Sequence, residues 1–577
     1  MALHGTPLAR REDERFVRGR GRFVENLALP GALWATYVRS PVASAALRGV
    51  RTAAAARQPG VAAVVTAADV ELAPAPPMLA VSHQAMVRPW LAAGRVRFAG
   101  EPVAVVLSET RAQGADAAEL VELDLDPLPA VVDPEAALAP GAPLLFPEAG
   151  TNVVLDLQFG RDPSLFDACD AVVRRRLVVP RLAHCPLEGR SAAAAWGGDG
   201  RLTLWSSTQS AHAVRRRVAQ VLGLGEAQVR ALALDVGGAF GAKMDPTPEE
   251  VLLGWLADRA GRPVRWTETR SESMAAMGHG RGQVHHLELG GTRDGRVLAY
   301  RLGIVQDAGA YPAHAAGLPV LTRSMLTGPY DIARAECDAT SVVTNTAPVV
   351  AYRGSGRPEA TIALERAMDL FAAELGADPV AVRRANLVPA GAFPYTNAVG
   401  SVYDGGDYGA ALDRALELAG YERLRAEQAR RRADPANGPV VPGIGVAVYV
   451  EVTAGPSAPD EWGAVEVTPA GRAVARTGSS PHGQGHETGF AMIVADALGL
   501  GVDDVGSSTA TPTRCRRGRA PWGRARCRRA GSPCTGPPPR WPPEPPSWPA
   551  PAGWPAPAAG GRWPPGPPPE AGPWPPR

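Results

Sequence analysis

The chain has almost no lysine. Of its 60 lysines and arginines, only Lys243 is a lysine. Long apolar runs are also missing, so the sequence predicts no membrane-spanning helix. The net charge is +2 and charged residues make up 20% of the chain, which gives no reason to expect nucleic acid or a membrane surface as a partner. The composition indicates a soluble globular protein, and 577 residues leave room for about three or four domains.

Cysteines are few and isolated. None of the six cysteines forms a pair with the spacing of a metal or redox motif. Reduced thiols of a cytoplasmic protein are the favoured interpretation. Arg10-Arg11 resembles a twin-arginine signal, but acidic residues and no apolar segment follow it, so we expect no signal peptide.

The single lysine ends a glycine-rich segment, DVGGAFGAK, at residues 235–243. A strand is predicted before it at 229–234 and a helix after it at 246–260. On such a loop, glycine lets backbone N–H groups approach an anion or a large flat cofactor. A phosphate-binding P-loop is excluded, because Ala242 and Met244 occupy its last glycine and its Ser/Thr positions. A tight turn without a ligand remains the alternative.

The pattern of apolar residues predicts an α/β (α+β) protein. Residues 1–135 read as one α/β domain and the Pro- and Ala-rich stretch 127–147 as a linker. Residues 150–400 alternate strands and helices, with strands predicted at 202–205, 263–268, 284–289 and 297–305 and helices at 209–222 and 358–375.

A third region begins after an arginine-rich stretch, 426–442, which we interpret as a solvated connector. Beyond it, strands are predicted at 446–452, 464–467 and 473–477, and a helix at 487–498. Residues 426–505 therefore read as the start of another domain.

Six segments of the chain together resemble one family. They are VRFAGEPVAVVLSET (96–110), LTLWSSTQSAH (202–212), DVGGAFGAK (235–243), GRPVRWTETR (261–270), TNTAPVVAYRGSGRPEA (344–360) and TGSSPHGQGHET (477–488). In this order they resemble the molybdenum hydroxylase large subunits, the family of xanthine dehydrogenase, aldehyde oxidase and carbon monoxide dehydrogenase. The resemblance implies an α/β hammerhead domain at 1–135, a first molybdopterin-binding domain at 150–400 and an incomplete second one at 426–505.

The resemblance also implies a cofactor site. A molybdenum cofactor brings its own dithiolene ligand, so the protein supplies no metal ligand and we do not expect His482 and His486 to bind metal. The expected catalytic residues are Gln209, Phe240 and Arg353. The expected cofactor-binding residues are Gln209, Gly238, Phe240, Gly241, Arg353, Gly483, Gln484 and Gly485. From spacing alone, Gln209 is equally well a polar residue at the N-terminus of a helix, and Arg353 is equally well part of a structural salt bridge.

Two departures from the family pattern bear on the substrate. Gly354 stands where the carbon monoxide enzymes have a copper-binding cysteine, so carbon monoxide is disfavoured. Met244 stands where purine hydroxylases have a glutamate, so purines are disfavoured too. An aldehyde or an aromatic N-heterocycle remains as the small-molecule substrate.

The resemblance further implies the cofactor's form and the partner chains. We expect the molybdopterin cytosine dinucleotide form, with no iron–sulfur cluster or FAD in this chain. Electrons would leave to an iron–sulfur small subunit and an FAD-binding medium subunit.

The composition changes abruptly after about Val505. Residues 506–577 hold 22 of the 58 prolines and 6 of the 13 tryptophans, so we expect this tail to be disordered. Reading one permitted coding of residues 508–516 in another frame gives HGDTDAVP, which resembles the family's next motif. We therefore expect an out-of-frame tail.

An out-of-frame tail would leave the chain without the family's C-terminal catalytic glutamate. We do not accept Glu570, which is isolated among prolines, in that role, so we expect the chain to be inactive. A genuine proline-rich tail and a non-catalytic, partner-binding fragment are the alternatives.

Overall fold

The computed structural model describes residues 3, 5–434, 436, 440–452 and 462–509. Within these residues, no helix is both long and apolar enough to cross a membrane. The tail from residue 510 onwards, including Glu570, lies outside the described residues, so its predicted disorder stays a prediction.

Most predicted strands are confirmed, with ends shifted by a few residues. The strands are β1 (Leu33–Arg39), β2 (Ala45–Arg51), β3 (Val61–Thr66), β4 (Arg95–Val96), β5 (Pro102–Ser108), β6 (Glu122–Pro127), β7 (Val153–Leu157), β8 (Ala171–Leu182), β9 (Ser191–Trp196), β10 (Leu202–Ser206), β11 (Val229–Leu232), β12 (Val264–Thr267), β13 (Gly280–Gly291), β14 (Val297–Asp307), β15 (Arg334–Val342), β16 (Tyr395–Thr396), β17 (Val402–Tyr403), β18 (Gly463–Val467), β19 (Ala473–Thr477) and β20 (Val505–Thr509).

The predicted helices are confirmed in the same way. The helices are α1 (Asp13–Val17), α2 (Ala53–Ala56), α3 (Arg111–Ala118), α4 (Ala211–Val221), α5 (Pro248–Ala260), α6 (Arg270–Ala276), α7 (Leu318–Ser324), α8 (Arg357–Leu375), α9 (Pro379–Asn386), α10 (Tyr408–Ala419), α11 (Tyr421–Ala433) and α12 (His486–Leu498).

The largest sheet joins the N-terminal segment to the middle of the chain. Its seven strands run in the order β11-β10-β9-β12-β1-β5-β3. β1 pairs in parallel with β12 across more than 200 residues of sequence. Helices α4 and α5 cover this sheet, and their apolar side chains share one core with those of the strands, among them Leu204, Val251 and Trp266. The N-terminal segment therefore shares a continuous sheet with the region that follows it.

Two neighbouring parallel strands of this sheet position the glycine-rich segment. β10 pairs in parallel with β11, β10 leads through Gln209 into α4, and β11 leads through residues 235–243 into α5. Because parallel strands end at the same edge of a sheet, both connections leave side by side. The crevice outside these carboxyl ends is where α/β proteins bind ligands.

A second sheet forms the other core. Its order is β7-β15-β14-β13-β8, and α8 packs against β8 and β13. Tyr300, Leu302 and Phe371 are fully buried in this core. α8 begins at Arg357, directly after the segment that carries Arg353.

The third region repeats the strand–loop–helix arrangement. β19 leads through residues 482–485 into α12, and β20 then pairs in parallel with β19. β20 includes residues 506–509, so the prediction that disorder begins at residue 506 is wrong for these four residues.

The arginine-rich stretch from residue 426 is helical at its start, since α11 continues to Ala433 and Glu427 pairs with Arg430 and Arg431 one turn away, and most of its described side chains are exposed. One strand prediction is wrong. Residues 446–452 are not a strand. Alternate residues there, including Val446 and Val448, pack against the protein, but no described strand lies beside them to complete a ladder.

Candidate functional site

The glycine-rich loop at 235–243, called loop 1 below, has an unusual backbone. Gly238, Phe240 and Gly241 have φ angles of 91°, 54° and 109°, which only glycine adopts without strain. A Cβ on Gly241 would lie 2.1 Å from the carbonyl oxygen of Ala351. Loop 1 therefore packs backbone to backbone against residues 351–357, called loop 3 below. The Phe240 ring is left 42% exposed.

Gln209 links the start of α4 to loop 1. Its backbone N–H donates to the Lys243 carbonyl at 2.8 Å, and its Oε1 accepts from the Gly241 N–H at 2.8 Å. A backbone N–H can only donate, so the Gln209 oxygen must face loop 1 and its Nε2 must face away. The side chain is buried, and Ser210, not Gln209, caps α4. Gln209 does lie at the N-terminal end of α4, directly before the cap, but its side chain bonds loop 1.

The second glycine-rich loop, residues 482–485 and called loop 2 below, faces the free end of Gln209. The Gln209 Nε2 lies 3.4 Å from the His482 Nε2. Gln484 contacts both the backbone and the ring of His482, since its Oε1 accepts from the His482 backbone N–H and its Nε2 lies 2.7 Å from the His482 Nε2. Gly483 and Gly485 have φ angles of 117° and 74°. Among the described residues, no group of three or more His, Cys, Asp or Glu side chains could hold a metal ion.

Loop 3 carries Arg353 beside Phe240. The Arg353 N–H donates to the Phe240 carbonyl at 2.9 Å, and its side chain is exposed. Arg281 contacts loop 3 and the helix that follows it. Its guanidinium donates to the carbonyl of Arg353 at 2.6 Å and pairs with the buried Glu359 carboxylate at 3.3 Å. No carboxylate of the described residues pairs with Arg353, so the salt-bridge interpretation of this residue is wrong.

The single lysine is structural. Lys243 is 3% exposed and its Nζ donates to the Glu188 Oε2 at 2.8 Å. The same oxygen accepts from the Gly237 N–H at 2.8 Å. Burial lowers the pKa of Lys243, and the Glu188 carboxylate opposes that shift. The ion pair thus fixes both ends of loop 1.

An N-terminal arm connects loops 1 and 2. Arg15 pairs with Asp235 at 2.5 Å and with Glu487 at 2.9 Å. Arg10 donates to the carbonyl of Gly483 at 3.0 Å. One short segment therefore contacts loop 1 through the Asp235 pair, loop 2 through the Gly483 carbonyl and the first turn of α12 through Glu487.

The structure brings together the residues predicted for the site. Gln209, Phe240, Gly241, Arg353 and Gln484 form one chain of contacts through the backbone of loop 1 and the His482 ring. The sequence pattern missed three residues that support them, which are Arg15, Glu188 and Arg281, and it missed the contact of His482 with Gln209. The unique lysine was the one sign of the Glu188 pair.

Replacing the Gln209 amide with an apolar group tests the hydrogen bond that Gln209 makes to loop 1. In Gln209→Met the Gly241 N–H loses its buried acceptor, and we expect the unfolding free energy to fall by about 1–3 kcal/mol. Chemical denaturation measures this loss. Gln220→Met, at an exposed position of the following helix α4, is the control and should change the unfolding free energy little. Equal stability of the two variants would contradict the assignment.

A buried histidine makes the stability of the site depend on pH. His184 donates from Nε2 to the Ala351 carbonyl at 2.8 Å, and burial lowers its pKa from 6.5 to about 4. The unfolded chain therefore binds more protons than the folded one between pH 6.5 and 4. We therefore expect the unfolding free energy to decrease as the pH is lowered through this window, by up to about 1.4 kcal/mol per pH unit from this residue. His184→Gln, which keeps a donor, should flatten the measured slope; an unchanged slope would contradict this.

Three sequence families match the chain. Residues 18–129 match the aldehyde oxidase and xanthine dehydrogenase a/b hammerhead domain. Residues 145–387 and 414–521 each match a molybdopterin cofactor-binding domain. The last match extends past Val505, the residue after which we expected the family's pattern to stop.

Known proteins share both sequence and fold. The chain is 36% identical over 528 residues to the carbon monoxide dehydrogenase large chain of Hydrogenophaga pseudoflava, covering 85% of this chain and 64% of that one. It is 33% identical over 533 residues to the nicotine 6-hydroxylase large subunit of Paenarthrobacter nicotinovorans, covering 88% and 64%. The crystal structure of quinoline 2-oxidoreductase from Pseudomonas putida 86 superposes with a TM-score of 0.85 at 33% identity, covering 92% and 70%.

The chain spans 64% of the length of each of these two curated relatives. Over that span, the two glycine-rich loops, the hammerhead segment and the order of all three matched domains agree with one family. The chain therefore belongs to the molybdenum hydroxylases, as a large, molybdopterin-binding subunit.

Proposed function

We propose that loops 1 and 2 hold a molybdenum–molybdopterin cofactor in its cytosine dinucleotide form. We further propose that the subunit serves a hydroxylase that oxidises an aldehyde or an aromatic N-heterocycle with water as the oxygen source. The observation that carries this proposal is the orientation of Gln209. Its oxygen is fixed by the Gly241 N–H, so its N–H₂ donor is turned towards loop 2.

The residues present fit such a cofactor. The group provides its own sulfur ligands, so it needs amide and backbone donors and close approach of the chain. Gln209 and Gln484 supply amides, and an added Cβ at Gly483 would meet no atom within 4 Å, so space is open there. Gln209, Gly238, Phe240 and Gly241 of the first domain and Gly483, Gln484 and Gly485 of the second would hold the group.

The side chains around this space have distinct proposed roles. When bound, the cofactor supplies the two-electron oxidation of the substrate carbon. Gln209 donates a hydrogen bond towards the cofactor. The exposed Phe240 ring, held outward by its left-handed backbone, forms a wall. Arg353, exposed and unpaired among the described residues, stabilises negative charge on the substrate.

The proposed substrate class rests on two positions and on two relatives. Gly354 offers no thiol to hold copper, and Met244 offers no carboxylate to a purine. Nicotine and quinoline, which name two of the similar proteins, are aromatic N-heterocycles. An iron–sulfur small subunit and an FAD-binding medium subunit are the proposed partners and the cytoplasm the proposed location.

We also propose that a shift of reading frame after about Val505 replaces the family's sequence, including its glutamate segment, and leaves this chain inactive. Arg353 and Gln209 can bind and polarise a substrate, but neither is a general base. Resequencing the gene tests the proposed shift of reading frame. An uninterrupted read in the present frame would overturn it.

The activity test compares this chain with a frame-restored version, each coexpressed with both partner subunits and the cofactor maturation proteins. Aldehydes and N-heterocycles are offered in ¹⁸O-labelled water. We expect labelled product from the restored chain only. Turnover by the 577-residue chain would overturn the proposed inactivity, and unlabelled product or oxidation of purines alone would overturn the proposed function.

A further inference from the structure

A cavity of about 90 Å³ lies against the side of loop 1. Ala242 of loop 1 and Val350, which precedes loop 3, form part of its wall. Met86, Trp90 and Tyr311 give it apolar surface. A cavity that holds one water molecule needs a volume of only about 10–15 Å³, so this cavity has room for a small organic molecule.

Arg88 brings a positive charge to this cavity without a matching partner. Its guanidinium lies 5.3 Å from the Tyr311 ring and 6.0 Å from the Phe98 ring, and burial lowers its pKa. No acceptor among the described residues takes a hydrogen bond from the Arg88 guanidinium. Its two acidic neighbours are already engaged: Glu249 pairs with Arg39 and Arg190, and Glu101 accepts from Tyr311.

Arg217 brings a second positive charge from helix α4. It also lines the cavity, and within the described part of the chain its side chain has no hydrogen-bond partner. Burial lowers the pKa of Arg217, and the nearby Asp245 carboxylate on the cavity wall opposes that shift. The Asp245 Oδ1 is bonded to the His314 Nδ1 at 2.8 Å, and its Oδ2 has no hydrogen-bond partner among the described residues. Arg190 is the third arginine of the cavity wall, and Glu249 and Glu268 pair with it. Arg88 and Arg217 are therefore balanced by the single carboxylate of Asp245, which leaves a net positive charge.

We propose that this cavity binds a small organic monocarboxylate, with Arg88 and Arg217 holding its carboxylate and Trp90 and Met86 contacting its apolar part. Guanidinium groups form paired hydrogen bonds with carboxylates, and desolvation strengthens those bonds. A neutral ligand would leave both arginines uncompensated. The proposal does not depend on the cofactor, because the binding can be measured on the chain itself.

Titration calorimetry of the full chain with propionate tests the proposal, with propionamide as the neutral ligand of similar shape and chloride as the inorganic anion. We expect propionate to bind and propionamide and chloride to bind at least about tenfold more weakly. Arg88→Gln and Arg217→Gln should each weaken propionate binding by roughly tenfold or more. Arg216→Gln, the exposed neighbour on α4, should leave it unchanged.

Several results would overturn the proposal. They are no propionate binding by the unaltered chain, equal binding of propionamide or chloride, and full affinity in Arg217→Gln. Far-UV circular dichroism checks folding, and if Arg88→Gln fails to fold, Arg217→Gln decides. The two proposals can fail separately, because molybdenum content and turnover test the cofactor site, whereas carboxylate affinity tests the cavity.

Discussion

Replacing Gly241 with valine is expected to abolish cofactor retention while the N-terminal segment stays folded. The φ of 109° is strained for any side chain, which alone costs about 1–2 kcal/mol. The added Cβ would also lie 2.1 Å from the Ala351 carbonyl oxygen. Loops 1 and 3 must then separate, and the Gly241 N–H leaves Gln209. Molybdenum content by mass spectrometry, with circular dichroism to check folding, measures the effect.

The matched control is Gly198→Val. Gly198 lies in an exposed turn between β9 and β10, and an added Cβ there meets no atom within 4 Å. This variant should keep the molybdenum content of the unaltered chain. If Gly241→Val keeps it as well, loop 1 does not hold the cofactor.

Replacing Arg190 with leucine is expected to cost the largest share of stability of any single change considered. Arg190 is 3% exposed and pairs with Glu268 at 2.8 Å and Glu249 at 3.4 Å, both of them buried. Removing one member of a buried charge network leaves uncompensated charges and costs about 3–5 kcal/mol. Since whole domains are stable by only about 5–15 kcal/mol, denaturant unfolding should show a large loss.

The pH dependence separates this mechanism from a simple packing defect. Burial raises the pKa of Glu249, but Arg190 and Arg39 together bring it down to about 2 from 4.5. That depressed pKa stabilises the unaltered chain above about pH 4.5, and the contribution is lost as the pH falls towards 2. The difference in unfolding free energy between Arg190→Leu and the unaltered chain should therefore narrow as the pH falls from about 4.5 towards 2.

The control for this charge effect is Arg51→Leu, which breaks an exposed pair with Glu122. Because water and salt screen such a pair, no resolvable change is expected. Two results would contradict the assignment. One is a difference in unfolding free energy between Arg190→Leu and the unaltered chain that does not depend on pH, and the other is an equal loss of stability in Arg51→Leu.

The strand-to-helix loops could be predicted from the sequence because their information is local. Glycines between an apolar run and a capped helix identified loop 1, and the same pattern identified loop 2. The order of the motifs then placed Gln209, Phe240 and Arg353 near these loops. Their mutual contacts follow from β10 and β11 being adjacent and parallel.

Other features depend on partners far apart in the chain and could not be predicted. The pairing of β1 with β12 merges two segments that read as separate domains. Arg15 reads as one of many arginines, yet it bridges Asp235 and Glu487. Residues 446–452 have the alternation of a strand, but a strand also needs a neighbour, and none is present among the described residues.

The most direct test of the account is the cofactor content of the unaltered chain. The chain is coexpressed with its maturation proteins and partner subunits, purified, and assayed for molybdenum and for released pterin nucleotide. We expect stoichiometric amounts of molybdenum and of pterin nucleotide, with cytosine as the nucleotide base. A folded chain that carries neither molybdenum nor pterin would contradict it.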